Sequence, residues 1–503
     1  MVIWIKKHWG FAAVIITMLF IYSLLPLGAA LQFGEDEGYE LVTGFLMSKG
    51  YALYTQIWYD QPPLLVLLLD CVFKHWGPSL MAARLVAAGF GLILFGTFFQ
   101  IVSQRIGRRA AFLATFFLLS SPAILELSVS VMQEVPAYGL ALISTLLLFQ
   151  WAKTPRVGWL VASGAVLGLS LEIKYTTALV APAILVEIWL QFNRKHGLAL
   201  LKPSLIAFLQ WGMATGLTLA ILTVFWGQDS FRSSYRSHFV EHAVFGLPRP
   251  EDFPMPWGIF QNHAEVVIAA VIGLLLVAQR HQWREFAFPA VMLATAMTVH
   301  TFHRPWWMYY YLHIAIPMSW LAGFTMESAI TRISHTLSKH KFKLSSQKTL
   351  EAIGLCALVA IVLVRSENRL EGAVAHLRDE ERAGISPVLG KIREYASRTN
   401  WIYVEYTKDI FSFQAQLPMP PELAVVTLKR FWSDQISNDT IIKICQQYKP
   451  EQLLLDPLQA THSWQAFLQD YTIVYEDQTA NLYVLKSILP KPIETDVVKP
   501  VFP

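Results

Sequence analysis

The stretch FAAVIITMLFIYSLLPLGAALQFGEDEGYE, residues 11 to 40, carries no charged side chain from Phe11 to Gly34 and then three carboxyls in succession, Glu35, Asp36 and Glu37. A helix rising about 1.5 Å per residue crosses a hydrocarbon layer of about 30 Å in roughly 20 residues, so Phe11 to Leu31 is long enough to span a membrane. Lys6 and Lys7 precede it, as in a signal peptide. The apolar run exceeds the usual roughly 7–15 residues of such a peptide, however, and no small-residue cleavage site stands before the acids. The reading is a retained first span that begins in the cytoplasm and delivers three acids to the opposite face.

The rest of the chain supports that reading. Of 503 residues, 54% are hydrophobic and only 15% charged, outside the balance of soluble globular proteins. Apolar windows follow near 80–103, 110–127, 136–152, 157–173, 175–192, 204–226, 264–279, 286–300, 308–329 and 349–365, which with the first predicts about eleven crossings. Lys174 separates two of these windows, and a single kinked helix is the alternative there. Basic residues test the assignment, because they concentrate in cytoplasmic loops. Seventeen lysines and arginines, among them Lys7, Arg109, Arg156, Lys195 and Arg284, fall in the loops assigned to the cytoplasm, and about half as many fall on the other side.

The fold class expected is an α-helical polytopic membrane domain, residues 1–366, followed by a soluble extracytoplasmic α/β domain, residues 367–503. The protein would lie in the inner or plasma membrane with its N-terminus in the cytoplasm. The first outer loop, residues 32–79, is too long and too apolar to be a simple connector and is expected to lie on the membrane. Within it, QPPLLVLLLDCVFKHWG reads as an interfacial helix, too short to cross. The tail holds eighteen of the thirty-six acidic residues and alternates β-like runs (WIYVEYT, LAVVTL, QLLLD) with helical ones. YTIVYEDQTANLYVLK reads as a β-hairpin. Cys71, Cys356 and Cys445 are too scattered for a disulfide framework, and no basic tract indicates nucleic acid.

An ionisable residue beside a bilayer is costly enough to ask for a reason. For the acids the plain one is a solvated flank that fixes topology; for Lys174 it is a snorkelling lysine; for the aromatics of HTFHRPWWMYYYLHIAIP it is interfacial anchoring. The order of motifs points further. DEGYELVTGFLMSKGYALYTQIWYDQPPL is followed by an Arg in AARLVAAGFG, an acid-Pro element in QEVPAYG and a Lys in LEIKYTTALVAPA. Over about residues 11 to 330 this series resembles the protein O-mannosyltransferase and aminoarabinose transferase superfamily, C-type (GT-C) glycosyltransferases that use polyprenyl-phosphate sugars.

The resemblance implies transfer of one sugar, with inversion, from a polyprenyl phosphate to a lipid, glycan or protein acceptor on the outer face. It implies that Asp36 acts as the base, with Glu37 as its acidic companion; Glu35 is an extra acid the pattern does not require. Glu134 matches the second acidic site, and Arg84, Lys174, His303 and Arg304 match positions near the donor phosphate. That division suits the chemistry, since the acceptor needs a base and the departing phosphate needs cations. No metal is expected, because a monophosphate leaving group is already matched by side chains; relatives with diphosphate or peptide substrates do use one.

Three rivals are set beside this reading. A lipid-linked sugar ligase or polymerase would share the fold but use a diphosphate donor. A transporter or flippase predicts two related halves and midplane acids, which the sequence lacks. His238, Glu241 and His242 have the spacing of an inverted zinc-protease motif, without an evident third ligand.

Overall fold

In hydrocarbon a backbone must satisfy its own hydrogen bonds, so apolar windows fold as helices. The computed structural model describes residues 2–34, 36–196, 201–227, 232, 235–236, 253–339, 347–384, 386–457 and 462–490. Glu35 and the His238–His242 motif lie outside the described residues. Helices in chain order are α1 (Val2–Ser23), α2 (Glu37–Ser48), α3 (Leu64–Trp76), α4 (Leu80–Arg105), α5 (Arg108–Leu119), α6 (Pro122–Leu127) and α7 (Glu134–Lys153). They continue with α8 (Val157–Leu171), α9 (Ala181–His196), α10 (Leu201–Trp226), α11 (Ala264–Gln279), α12 (Trp283–Phe302), α13 (Tyr311–Lys339) and α14 (Gln347–Ala383).

The predicted windows fall largely on helical residues, except that the first runs past its helix, the window 110–127 is broken at Ser120–Ser121 into α5 and α6, and the window 157–173 overruns α8 by two residues. Among the described residues four helical segments are long and apolar enough to cross a membrane: Leu80–Arg105, Glu134–Lys153, Tyr175–Phe192 and Lys202–Trp226. Trp9–Ser23, Val157–Leu171 and Ala264–Gln279 are shorter apolar helices, so the expected eleven crossings are reached only with shorter or more polar members. Their places differ. The apolar window of α7 is 67% buried and that of α10 only 17%, so α7 runs through the interior while α10 turns Leu205, Leu209, Met213, Leu217 and Val224 outward. Such an apolar face is suited to lipid, not water.

Packing is close where side chains are small. A methyl group at Gly164 of α8 would run into the Trp211 carbonyl of α10, so the bare backbone is what lets these helices touch. Helix α13 packs against α5, α11, α12 and α14 and buries Trp320 and Tyr311 at the centre.

Several boundaries differ from the sequence reading. Helix α1 starts earlier and ends at Ser23, because Pro26 cannot continue the helical hydrogen-bond ladder; residues 24–34 form turns instead of span. The break at Lys174 is real. Its backbone is extended, and a 3-10 turn, Tyr175–Val180, links α8 to α9. Helix α14 has 37 residues and runs through the boundary placed at residue 366.

Beyond α14 lie α15 (Pro387–Tyr395), α16 (Asp409–Ala415), α17 (Leu428–Trp432), α18 (Asn438–Tyr448) and a four-stranded sheet of order β1-β2-β4-β3. The strands are β1 (Ile402–Val404), β2 (Gln452–Leu455), β3 (Tyr471–Glu476) and β4 (Asn481–Leu485). β1 and β2 are parallel, and β3 and β4 form the predicted hairpin, with Asp477 accepting from the Thr479 and Ala480 amides at 2.7 and 2.8 Å in its turn. LAVVTL, by contrast, is not a strand. Its carbonyls are taken by side chains: Tyr39 donates to Val426 at 2.9 Å and Arg430 to Val425 at 2.6 Å.

This C-terminal layer sits on the segment between α1 and α4. α16 packs on α2, with Phe413 edge-on to Phe45 at 6.0 Å, and Trp58 donates to Gln435 at 2.8 Å. A Cβ at Gly38 would stand 2.9 Å from the Ile410 amide nitrogen. Gly38→Val should therefore cost about 1–3 kcal/mol by overpacking and lower the thermal midpoint in detergent. Gly89→Val, where nothing lies within 4 Å, should leave it unchanged. Equal midpoints would show that the two layers are not in contact there.

Candidate active site

Helix α2 begins after the turns that follow α1, and of the three consecutive acids its first turn carries Glu37. Glu37 is fully buried and meets Arg84 of α4. Arg84 donates through Nε to Oε1 at 2.9 Å and through Nη2 to Oε2 at 2.7 Å. The Phe33 and Val131 amides add bonds of 2.6 and 3.1 Å to the same carboxylate. Nη1 of Arg84 donates to the carbonyls of Leu27 and Ala30, both at 3.0 Å, and Phe33 lies 4.2 Å beneath the guanidinium. Arg84 is 0% exposed and most of its donors are committed. Its geometry is that of a clamp on Glu37, not of a group open to a phosphate.

Asp36 precedes that turn and is half-buried. Its charge acts on Lys174, Tyr309 and Tyr310, which come from the α8–α9 turn and the 3-10 turn Met308–Tyr310 before α13. Lys174 is paired with Glu134, the first residue of α7, and its Nζ lies 4.3 Å over the Tyr309 ring. Both partners are buried, while Oε2 of Glu134 has no hydrogen-bond partner among the described residues. The predicted site residues thus separate into two ion pairs, Glu37–Arg84 and Glu134–Lys174, with Asp36 beside the second.

His303 and Arg304 follow the end of α12 and are half-buried. The His303 ring stands 6.0 Å from that of Tyr310, and burial pushes its imidazole below the ordinary range, favouring the neutral form at pH 7. Trp307 stacks on Phe253 at 5.8 Å, and Phe253 reaches Trp432 of α17 at 6.1 Å. Those aromatics join the membrane helices to the C-terminal layer.

Sequence reasoning missed a second layer of polar groups. Glu40, one turn beyond Asp36, accepts from the Tyr59 hydroxyl at 2.8 Å, and Gln133 donates to that hydroxyl at 2.6 Å. Burial raises the Glu40 carboxyl to about 8. Asp409 at the head of α16 is likewise pushed well above the usual carboxylate range by burial, with the Asp36 charge adding to the shift. Lys429 of α17 bridges to Asp60 at 3.0 Å. Deeper in the bundle, His300 and His313 share a hydrogen bond of 2.8 Å, and Tyr138 stacks on His313 at 4.6 Å. Only Glu40 had a usable signal, the four-residue spacing that puts it on the Asp36 face of a helix.

Arg84→Met should strand the Glu37 carboxylate and cost about 3–5 kcal/mol, whereas Arg84→Met combined with Glu37→Leu should recover much of that loss. Thermal unfolding in detergent measures both. A single variant as stable as the parent would mean that the pair does not hold the loop.

Residues 60–226 match the family described as dolichyl-phosphate-mannose-protein mannosyltransferase, about a third of the chain. No curated protein matches. ArnT from Cupriavidus metallidurans, solved bound to undecaprenyl phosphate, is similar with a TM-score of 0.61 at 14% identity, over 97% of this chain and 99% of that one. The Archaeoglobus fulgidus oligosaccharyltransferase tethered with an acceptor peptide is similar with a TM-score of 0.54 at 12% identity, over 96% of this chain and 74% of that one. AglB of the same organism, in complex with an inhibitory peptide and a dolichol-phosphate, gives 0.53 at 13% identity, over 97% and 75%. The chain therefore has the C-type glycosyltransferase fold along nearly its whole length, and the resemblance read from its motifs holds at that level.

Proposed function

We propose that this chain is an integral-membrane glycosyltransferase that moves a single sugar, with inversion, from a polyprenyl phosphate to an acceptor at the outer face of the membrane. The observation that carries the reading is the meeting of Asp36 with Lys174, Glu134, Tyr309 and Tyr310 at one end of a bundle with the C-type glycosyltransferase fold. The lipid-phosphate ligands of the ArnT and AglB structures favour the same donor class.

In this reaction the acceptor oxygen or nitrogen attacks the anomeric carbon as Asp36 removes its proton. The bond from that carbon to the phosphate oxygen breaks on the opposite side, and its electron pair leaves with the polyprenyl phosphate. Lys174 faces the charge so released, held in place by Glu134, while Arg304 adds a second cation and neutral His303 a hydrogen bond. Arg84 is assigned away from the phosphate, as the clamp that fixes the first turn of α2. The departing group is a monophosphate that these side chains can meet, so no step is routed through a metal. The C-terminal domain stands on the outer side, over the first loop.

Purified protein in detergent, given radiolabelled polyprenyl-phosphate sugars, tests the assignment. Asp36→Asn should lower transfer by about 10²–10⁴-fold, the usual contribution of a general base. Full transfer by the variant would remove Asp36 from that role. Consumption of no donor by the parent chain would remove the enzyme reading.

A further inference from the structure

Glu40 has no part in the transfer step above, yet it stands one helical turn from Asp36 with its side chain 5% exposed. A hydrogen-bonded chain fixes it there. Gln133 donates to the Tyr59 hydroxyl, and Tyr59 donates to Oε2 of Glu40, at 2.6 and 2.8 Å. The groups that act on it come from several elements: Asp36 on its own helix, Tyr59 from the loop before α3, Glu134 from α7, and Lys174 from the α8–α9 turn. Asp409 of α16 is near enough for the Asp36 charge to act on it. Lys174, the cation in that set, is already paired with Glu134. An ionised Glu40 would put a third carboxylate, after Asp36 and Glu134, beside the one lysine that the proposed reaction turns toward an anionic lipid phosphate.

We infer that Glu40 is a positioning residue whose protonated form, held by Tyr59 and Gln133, admits the anionic donor, and whose ionisation expels it; this rests on the polyprenyl-phosphate reading above. The sign follows from the surroundings. Burial raises the carboxyl to about 8, so it is neutral at pH 7 and becomes charged as the pH passes through that value. The Tyr59 hydroxyl stabilises the charged form and pulls in the opposite direction.

Binding of undecaprenyl phosphate to the purified full chain in detergent, followed by thermophoresis from pH 7 to pH 9.5, reads this without any transfer. A phosphate monoester has its second pKa near about 6, so the probe stays largely in one charge state over the range. The parent chain should lose about tenfold in affinity with a midpoint near pH 8, the effect of one like charge at close range. Glu40→Gln should show no such loss, and Tyr59→Phe should move the loss to higher pH. An unchanged pH dependence in Glu40→Gln overturns the assignment, as does a loss in Tyr59→Phe that stays in place. A parent chain that binds no undecaprenyl phosphate at either pH overturns the donor reading itself.

Discussion

The arrangement depends on one fully buried carboxylate. Glu37 receives two N–H groups from Arg84 and one each from the Phe33 and Val131 amides, so a helix of the first outer loop, a long membrane helix and the segment before α7 are tied at one buried point. A buried ion pair is weak evidence of net stability, since desolvation offsets much of its attraction. Its value lies in geometry. Four directed bonds permit one orientation of the α2 first turn, and Asp36, the residue before it, inherits that orientation.

Around Asp36 the protein gathers acids whose charge burial opposes. Glu40 and Asp409 both feel the Asp36 charge, and burial disfavours ionisation of both. Glu134 is matched by Lys174. Asp36 is therefore placed among carboxyl groups without the full repulsion that their number implies. These side chains come from α2, α7, the Lys174 turn and α16, so the cluster exists only when those elements are assembled.

Much of this organisation is legible in the chain. Apolar windows announce helices because hydrocarbon offers the backbone no other partner, and Lys174 announces a break because a cation in mid-span is costly. The acids after the first span stand out for the same reason. What the sequence conceals is partnership. Arg84 lies 47 residues from Glu37, and nothing local distinguishes a guanidinium that clamps a carboxylate from one that awaits a phosphate. Tyr59 and Gln133 are 74 residues apart, and their bond to Glu40 arises only when the loop folds over α7. LAVVTL misleads because its β-like composition reflects burial against α2, with Tyr39 and Arg430 serving its carbonyls in place of a neighbouring strand.

The close approach at Gly38 has a consequence for how substrates are chosen. The helix that follows Asp36 is gripped by Arg84 on one face and capped by the Asp409–Ala415 helix on another, leaving it little freedom to lean toward an incoming molecule. Accuracy must then come from the guest. With Asp36 as the proposed base, an acceptor would have to present its nucleophilic atom to a stationary group, and discrimination among acceptors would fall to the walls that steer their approach.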